Sequence, residues 1–182
     1  MLVLDGRTGV LVVLLVVAAC IDIKRNRIPN WLVLGGAVYG LLYNTLFPLY
    51  PRDVGILFAL GGWGVGLAML LPMYMLRVMG AGDVKLMAMA GAFLGASATF
   101  NAGIATFIAG GVLAIAVGLS AGTVVRMVRN VAMMFRGTML TFATGVGGLS
   151  VHGGPSAGKM PYGVAIATGT IAYLVLAQLG LI

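Results

Sequence analysis

The chain contains four acidic residues, all aspartates: Asp5, Asp22, Asp53 and Asp83. Asp22 stands in Asp22-Ile-Lys-Arg-Asn-Arg-Ile-Pro-Asn30, where a first apolar run ends. Asp83 stands in Gly80-Ala-Gly-Asp-Val-Lys-Leu86, where a fourth begins. An acid at the edge of a membrane-length apolar segment is costly to keep there, which makes both functional candidates. Two carboxylates a few ångströms apart cannot both ionise cheaply, so they share one proton and titrate as a unit. Such a pair suits peptide hydrolysis: the carboxylate takes a proton from water while the carboxylic acid polarises the carbonyl. That chemistry needs no covalent intermediate, metal or cofactor.

The elements that must position these acids are apolar. The sequence has 182 residues, of which 61% are hydrophobic and 8% charged, with a mean hydropathy of +1.11. That excludes an ordinary soluble domain and points to a polytopic membrane protein. Six runs approach the roughly 20 residues that a helical crossing needs: Thr8–Ile23, Trp31–Phe47, Val54–Leu76, Val84–Phe100, Ala102–Val124 and Pro161–Leu181. They are too long for tilted barrel strands, so the expected fold is all-α, a bundle of about six transmembrane helices forming a single domain over 1–182.

The net charge of +7 does not require a nucleic-acid partner, because the basic residues follow the crossings. Lys24, Arg25, Arg27, Arg77, Lys85, Arg126, Arg129, Arg136 and Lys159 fall on one side, and only Arg7 and Arg52 on the other. The positive-inside rule makes the larger set cytoplasmic and turns both termini outward, with membrane lipids as partners. The chain crosses twice between Asp22 and Asp83, so the two acids return to the same cytoplasmic face. Asp5 and Asp53 belong to the outward side, where Asp53 suits a helix N-cap.

Between the fifth and sixth runs, 125–160 is expected to be cytoplasmic. Arg126, Arg129, Asn130, Met133 and Arg136 share a helical face, as in an amphipathic helix lying in the interface. The Gly-, Ser- and Thr-rich stretch Gly137–Lys159 reads as a loop able to close over a substrate. Of the 29 glycines, Gly36/Gly40, Gly62/Gly66, Gly91/Gly95 and Gly118/Gly122 have the spacing that lets helix backbones approach closely. Val17-Ala-Ala-Cys20 outlines a lipoprotein cleavage box, but the weakly basic start and the three basic residues after Cys20 argue against processing. Cys20 therefore reads as a small helix residue, and His152 as a loop residue without a partner. No metal site is expected.

Each acid also has a plainer reading: Asp22 as an interfacial acid paired with Arg25, and Asp83 as a helix cap. The same holds for Lys85, which suits a snorkelling interface lysine as well as a ligand for an anion. Gly80 and Gly82 are expected to let the backbone turn tightly and approach an extended substrate.

Taken together, Asp22 with Arg27-Ile28-Pro29-Asn30, then Gly80-Ala81-Gly82-Asp83-Val84-Lys85-Leu86, and finally Lys159-Met-Pro161-Tyr162-Gly163, resemble the motifs of the type IV prepilin peptidase family. These are intramembrane aspartyl proteases of the Gly-x-Gly-Asp class. The resemblance runs from Asp22 to about Gly169 and implies that Asp22 and Asp83 are the catalytic pair. It implies removal of a short basic cytoplasmic leader from prepilin-like substrates at the inner face of the bacterial inner membrane, alongside pilus assembly machinery. Larger members carry a cysteine-paired insertion and also methylate the new N-terminus. This chain lacks that insertion and resembles the small peptidase-only CpaA/TadV-like branch that serves Flp-type pili, so methyltransferase activity is not expected. The rival readings are a proton-coupled transporter component, a non-catalytic pilus assembly subunit, and a relative with the same acids but another substrate, such as an archaeal preflagellin.

Overall fold

The computed structural model describes residues 6–48, 55–76, 78–120, 122, 129, 132, 133 and 161–181. Six helices are described: α1 (Gly6–Arg25), α2 (Asn30–Leu46), α3 (Gly55–Met75), α4 (Ala81–Leu94), α5 (Ala96–Ser120) and α6 (Tyr162–Gln178). No strand occurs among the described residues. The chain divides into two compact units, Met1–Gly110 with Pro161–Ile182, and Gly111–Met160. The first holds α1 to α4, α6 and most of the described α5. Of the expected interfacial helix only Arg129, Ala132 and Met133 are described, all helical and exposed; the rest of it, the Gly-rich loop, Lys159, His152, Asp5 and Asp53 lie outside the described residues.

Helices α1, α3 and α5 are long and apolar enough to cross a membrane, and α6 is a shorter apolar helix. Large apolar side chains such as Val13, Leu34, Leu57 and Ile108 face outward. A soluble monomer could not carry so much exposed apolar surface, whereas a lipid-facing bundle requires it. The chain is thus an all-α membrane helical bundle.

Helix α4 lies at the centre. Every residue from Leu86 to Gly95 is buried, and α4 packs against α1, α2, α3 and α6. A helix surrounded on all sides needs no polar face, which explains its run of Leu, Met, Ala and Phe. Glycines bring the neighbours in. A Cβ at Gly62 of α3 would run into the Gly91 backbone, and one at Gly91 into Gly62. Gly36 and Gly40 of α2 face the Met89 and Phe93 side chains. Three of the four expected glycine pairs thus have members at close helix contacts.

One boundary differs from the sequence expectation. The fourth run was expected to continue to Phe100, with a turn at Asn101. Instead α4 ends at Leu94, Gly95 adopts φ 78° as its C-cap, and α5 starts at Ala96. A Cβ at Gly95 would collide with the Phe58 ring. Glycine is therefore required there both by its left-handed backbone and by space. Asn101 lies exposed within α5.

Candidate active site

The buried stripe of α1 runs through Arg7, Leu11, Leu15, Ala18 and Asp22, a spacing of three and four that keeps one helix face inward. Asp22 ends that stripe and is 5% exposed. Lys24 and Arg25 occupy the last turn of α1, where cations suit the helix dipole. Asn26 follows at φ 48° and turns the chain away from the helix. Pro29 caps α2 in an extended conformation.

The Asp22 carboxylate does not pair with Arg25, which is exposed. Its Oδ2 accepts a hydrogen bond from the Gly163 backbone N–H, 2.9 Å away, in the first turn of α6. The N–H groups of a helix start have no intrahelical partner, so a carboxylate is a natural occupant of that position. A Cβ at residue 163 would stand 2.8 Å from the same oxygen, so only glycine permits this approach.

Asp83 is the third residue of α4 and is 8% exposed. Its Oδ2 accepts from the Gly80 N–H at 3.0 Å, while the Asp83 N–H donates back to the Gly80 carbonyl at 3.2 Å. This is a reciprocal cap in which the Gly80 backbone takes the place of a cap side chain. The expectation of Asp83 as the N-cap residue is therefore corrected: Gly80 is the N-cap, and Asp83 closes the cap from the third helical position through its side chain. The glycines also differ from expectation. Gly80 has an ordinary φ of −81°, and a Cβ there would make only van der Waals contact. Gly82 is the constrained one, with room for a Cβ only 3.3 Å from Ile28.

The three sequence-distant motifs converge at this end of the bundle. Ile28 packs against Gly82, and the Lys85 Nζ donates to Asn30 Oδ1 at 3.1 Å, joining the starts of α2 and α4. Arg27 is exposed in the intervening turn. Pro161 caps α6. Tyr162 is half-buried, with its phenol against α5 where a Cβ at Gly110 would stand 2.9 Å from Oη. Asp22 and Asp83 are within electrostatic reach of one another, as are Asp83 and Tyr162.

Each carboxylate thus has one oxygen tethered by a backbone N–H. Among the described residues no hydrogen bond engages either Oδ1. Carboxyl groups with an open oxygen hold a water molecule between them and share a proton across it where they stand within a few ångströms of one another. Among the described residues no group of three or more His, Cys, Asp or Glu could hold a metal ion. Gly163 and Gly110 were missed as site residues; Gly163 directly follows Tyr162 in a motif already singled out, whereas Gly110 gave no signal within its apolar run.

No curated protein and no solved structure matches the chain. The sequence profile of the type IV leader peptidase family does match, over residues 9–115, a span that includes both aspartates, α1 from its fourth residue, and α2 to α4 entire. An apolar helical bundle carrying that profile over more than half its length belongs to the type IV leader peptidase family, a family of membrane proteases.

Proposed function

We propose that Asp22 and Asp83 are the catalytic pair of an intramembrane aspartic endopeptidase. Its substrate is a type IV prepilin of the Flp kind, and its product the mature pilin freed of its basic leader. The observation that carries this reading is the convergence of two buried aspartates from separate helices at one end of the bundle, each held through one oxygen by a backbone N–H. In the reaction, the ionised carboxylate takes a proton from water, whose oxygen attacks the scissile carbonyl carbon. The protonated carboxyl donates to the carbonyl oxygen. The tetrahedral diol then collapses, the amide nitrogen takes a proton and departs, and the C–N bond is broken.

The charge distribution supports an inner-membrane protein with this end at the cytoplasm and both termini outside, where the leader of a prepilin would meet the acids. The chain would then act with lipids and a pilus assembly system, and without methylating its product. A proton-coupled transporter fits less well, because its ionisable groups belong near the bilayer midplane at broken helices. Here both acids stand at helix ends on one side.

The test is co-expression with a Flp-type prepilin in a host lacking its own peptidase. Wild type should yield the mature band. Asp22→Asn and Asp83→Asn should each lower its rate by roughly 100-fold or more, the scale of lost acid–base catalysis, with membrane levels intact. Cleavage persisting in both mutants would refute the pair.

A further inference from the structure

A buried polar cluster lies at the other end of the bundle. Arg7 is 3% exposed and Asn44 is 1% exposed. Arg7 Nη1 donates to Asn44 Oδ1 at 2.6 Å. The Asn44 amide donates in turn to the Ala92 carbonyl of α4 at 2.8 Å and to Gly40 of its own helix at 3.1 Å. The Arg7 guanidinium also stands 6.0 Å from the centre of the Phe58 ring, the ring that packs against Gly95 at the end of α4. Carbonyls in the last turn of a helix lack intrahelical donors, and the helix dipole puts negative charge there. Asn44 supplies a donor and Arg7 a cation.

We infer that Arg7 and Asn44 are positioning residues: a buried clamp that fixes α1 against α4 along their axes and so sets the spacing of Asp22 and Asp83. The inference rests on the catalytic role proposed above for those two acids.

The packing pattern gives such a clamp a role. Helix α1 packs chiefly on α6, while α4 packs chiefly on α3 and α2. The two acids therefore ride on helices with different main partners. Between Arg7 and Asp22 the buried side chains of α1 are Thr8, Leu11, Leu15 and Ala18, and those of α4 are chiefly Leu, Met and Ala, van der Waals contacts without the direction of a hydrogen bond. Arg7 and Asp22 are the two ends of one inward stripe, about 22 Å apart at 1.5 Å per residue. A shift of α1 at Arg7 is therefore delivered unchanged to Asp22. Asn44 likewise ends the inward stripe of α2, after Gly36 and Gly40.

The chemistry points to register and not to bulk stability. A buried charge with its hydrogen-bond partners often stabilises no better than apolar residues of the same volume. What the polar set adds is direction, since a one-residue slip breaks the Arg7–Asn44 bond and takes the Asn44 amide from the Ala92 carbonyl. A single buried Asn selects register in coiled coils in the same way. Displacing a reacting group by about 1 Å can cost roughly 100-fold in rate.

The test places spin labels at Ile23→Cys and Ala81→Cys, exposed positions beside the acids, in a Cys20→Ala background. The label distance is measured in liposomes with Asn44 intact, with Asn44→Leu and with Asn44→Asp. Asn44→Asp can keep the Arg7 contact but loses the N–H given to Ala92. We expect a narrow distribution with Asn44 intact and a shifted or broadened one in both variants. On the unlabelled chain, kcat for prepilin cleavage should fall about 10- to 100-fold with KM within about threefold. A change that merely weakens the fold would lower the yield of folded protein without moving the distance within it. An unaltered distance and kcat in Asn44→Asp would overturn the clamp even if Asn44→Leu fails to fold. Absence of cleavage by wild type would count against the proposed substrate, and the label distance would still decide the clamp.

Discussion

Gly163 and Asp22, 141 residues apart in sequence, are joined by a backbone hydrogen bond of 2.9 Å that leaves no space for a side chain at residue 163. The last helix thereby orients an acid carried by the first. Gly163→Ala should push the carboxylate off its tether and lower the rate of prepilin cleavage by roughly 10- to 100-fold, as misplacement by about 1 Å does elsewhere. Turnover measured at equal membrane abundance checks this, and a rate within twofold of wild type would show that the tether does not matter.

The Tyr162 phenol packs against Gly110 of α5. On the function proposed above, we assign it the role of hydrogen-bond donor to a substrate carbonyl. Tyr162→Phe should reduce kcat by about 10-fold, on the scale of a lost hydrogen bond to a developing charge. Gly110→Ala, whose Cβ would stand 2.9 Å from the phenol oxygen, should have a similar effect with the hydroxyl still present. Single-turnover cleavage by the two variants is the measurement; unchanged rates in both would remove Tyr162 from the site.

Lys85 and Asn30 join α4 to α2, but their bond is exposed. Its loss in Asn30→Ala should destabilise the protein by less than about 1 kcal/mol. A thermal unfolding curve in detergent should move by no more than a few degrees. A larger shift would mean that this junction carries more of the fold than its exposure indicates.

The glycines of α3 permit a paired test. Gly62 meets the Gly91 backbone, whereas a Cβ at Gly64 would meet nothing within 4 Å. Gly62→Ala should cost about 1–3 kcal/mol or more through overpacking against a backbone that cannot yield. Gly64→Ala should be neutral or stabilise by up to about 1 kcal/mol, because alanine favours the helix. Folded yield and detergent unfolding of the two variants should diverge in that order; equal behaviour would contradict the close α3–α4 contact.

Much of this architecture was legible because apolar runs with basic ends leave few alternatives. Helices α2 and α6 begin and end within a few residues of the runs at Trp31–Phe47 and Pro161–Leu181. The α4–α5 boundary was not legible. Gly95 sits inside an apolar stretch and spaced four from Gly91, so it reads as a packing glycine, and Asn101 looks like the turn. Only the Phe58 ring against Gly95, and its φ of 78°, show which residue bends the chain. The same limit applies to Gly80, whose need for glycine the motif suggested and its ordinary backbone does not require.

For the site, the sequence alone singled out two candidate acids: aspartates at the edges of apolar runs, an expected even number of crossings apart, in a chain with only two other acids. It did so because charge in lipid is costly and is kept only for cause. It could not say what holds each carboxylate, because a backbone N–H looks the same at every residue. Nor could it make anything of Arg7 and Asn44, which read as a topology signal and an unremarked amide. Tertiary structure decided that Asp22 is held by Gly163, that Asp83 is held by Gly80, and that Arg7 reaches α4 through Asn44. Those contacts join residues far apart along the chain, and hydrogen bonds form only where folding brings donor and acceptor within reach.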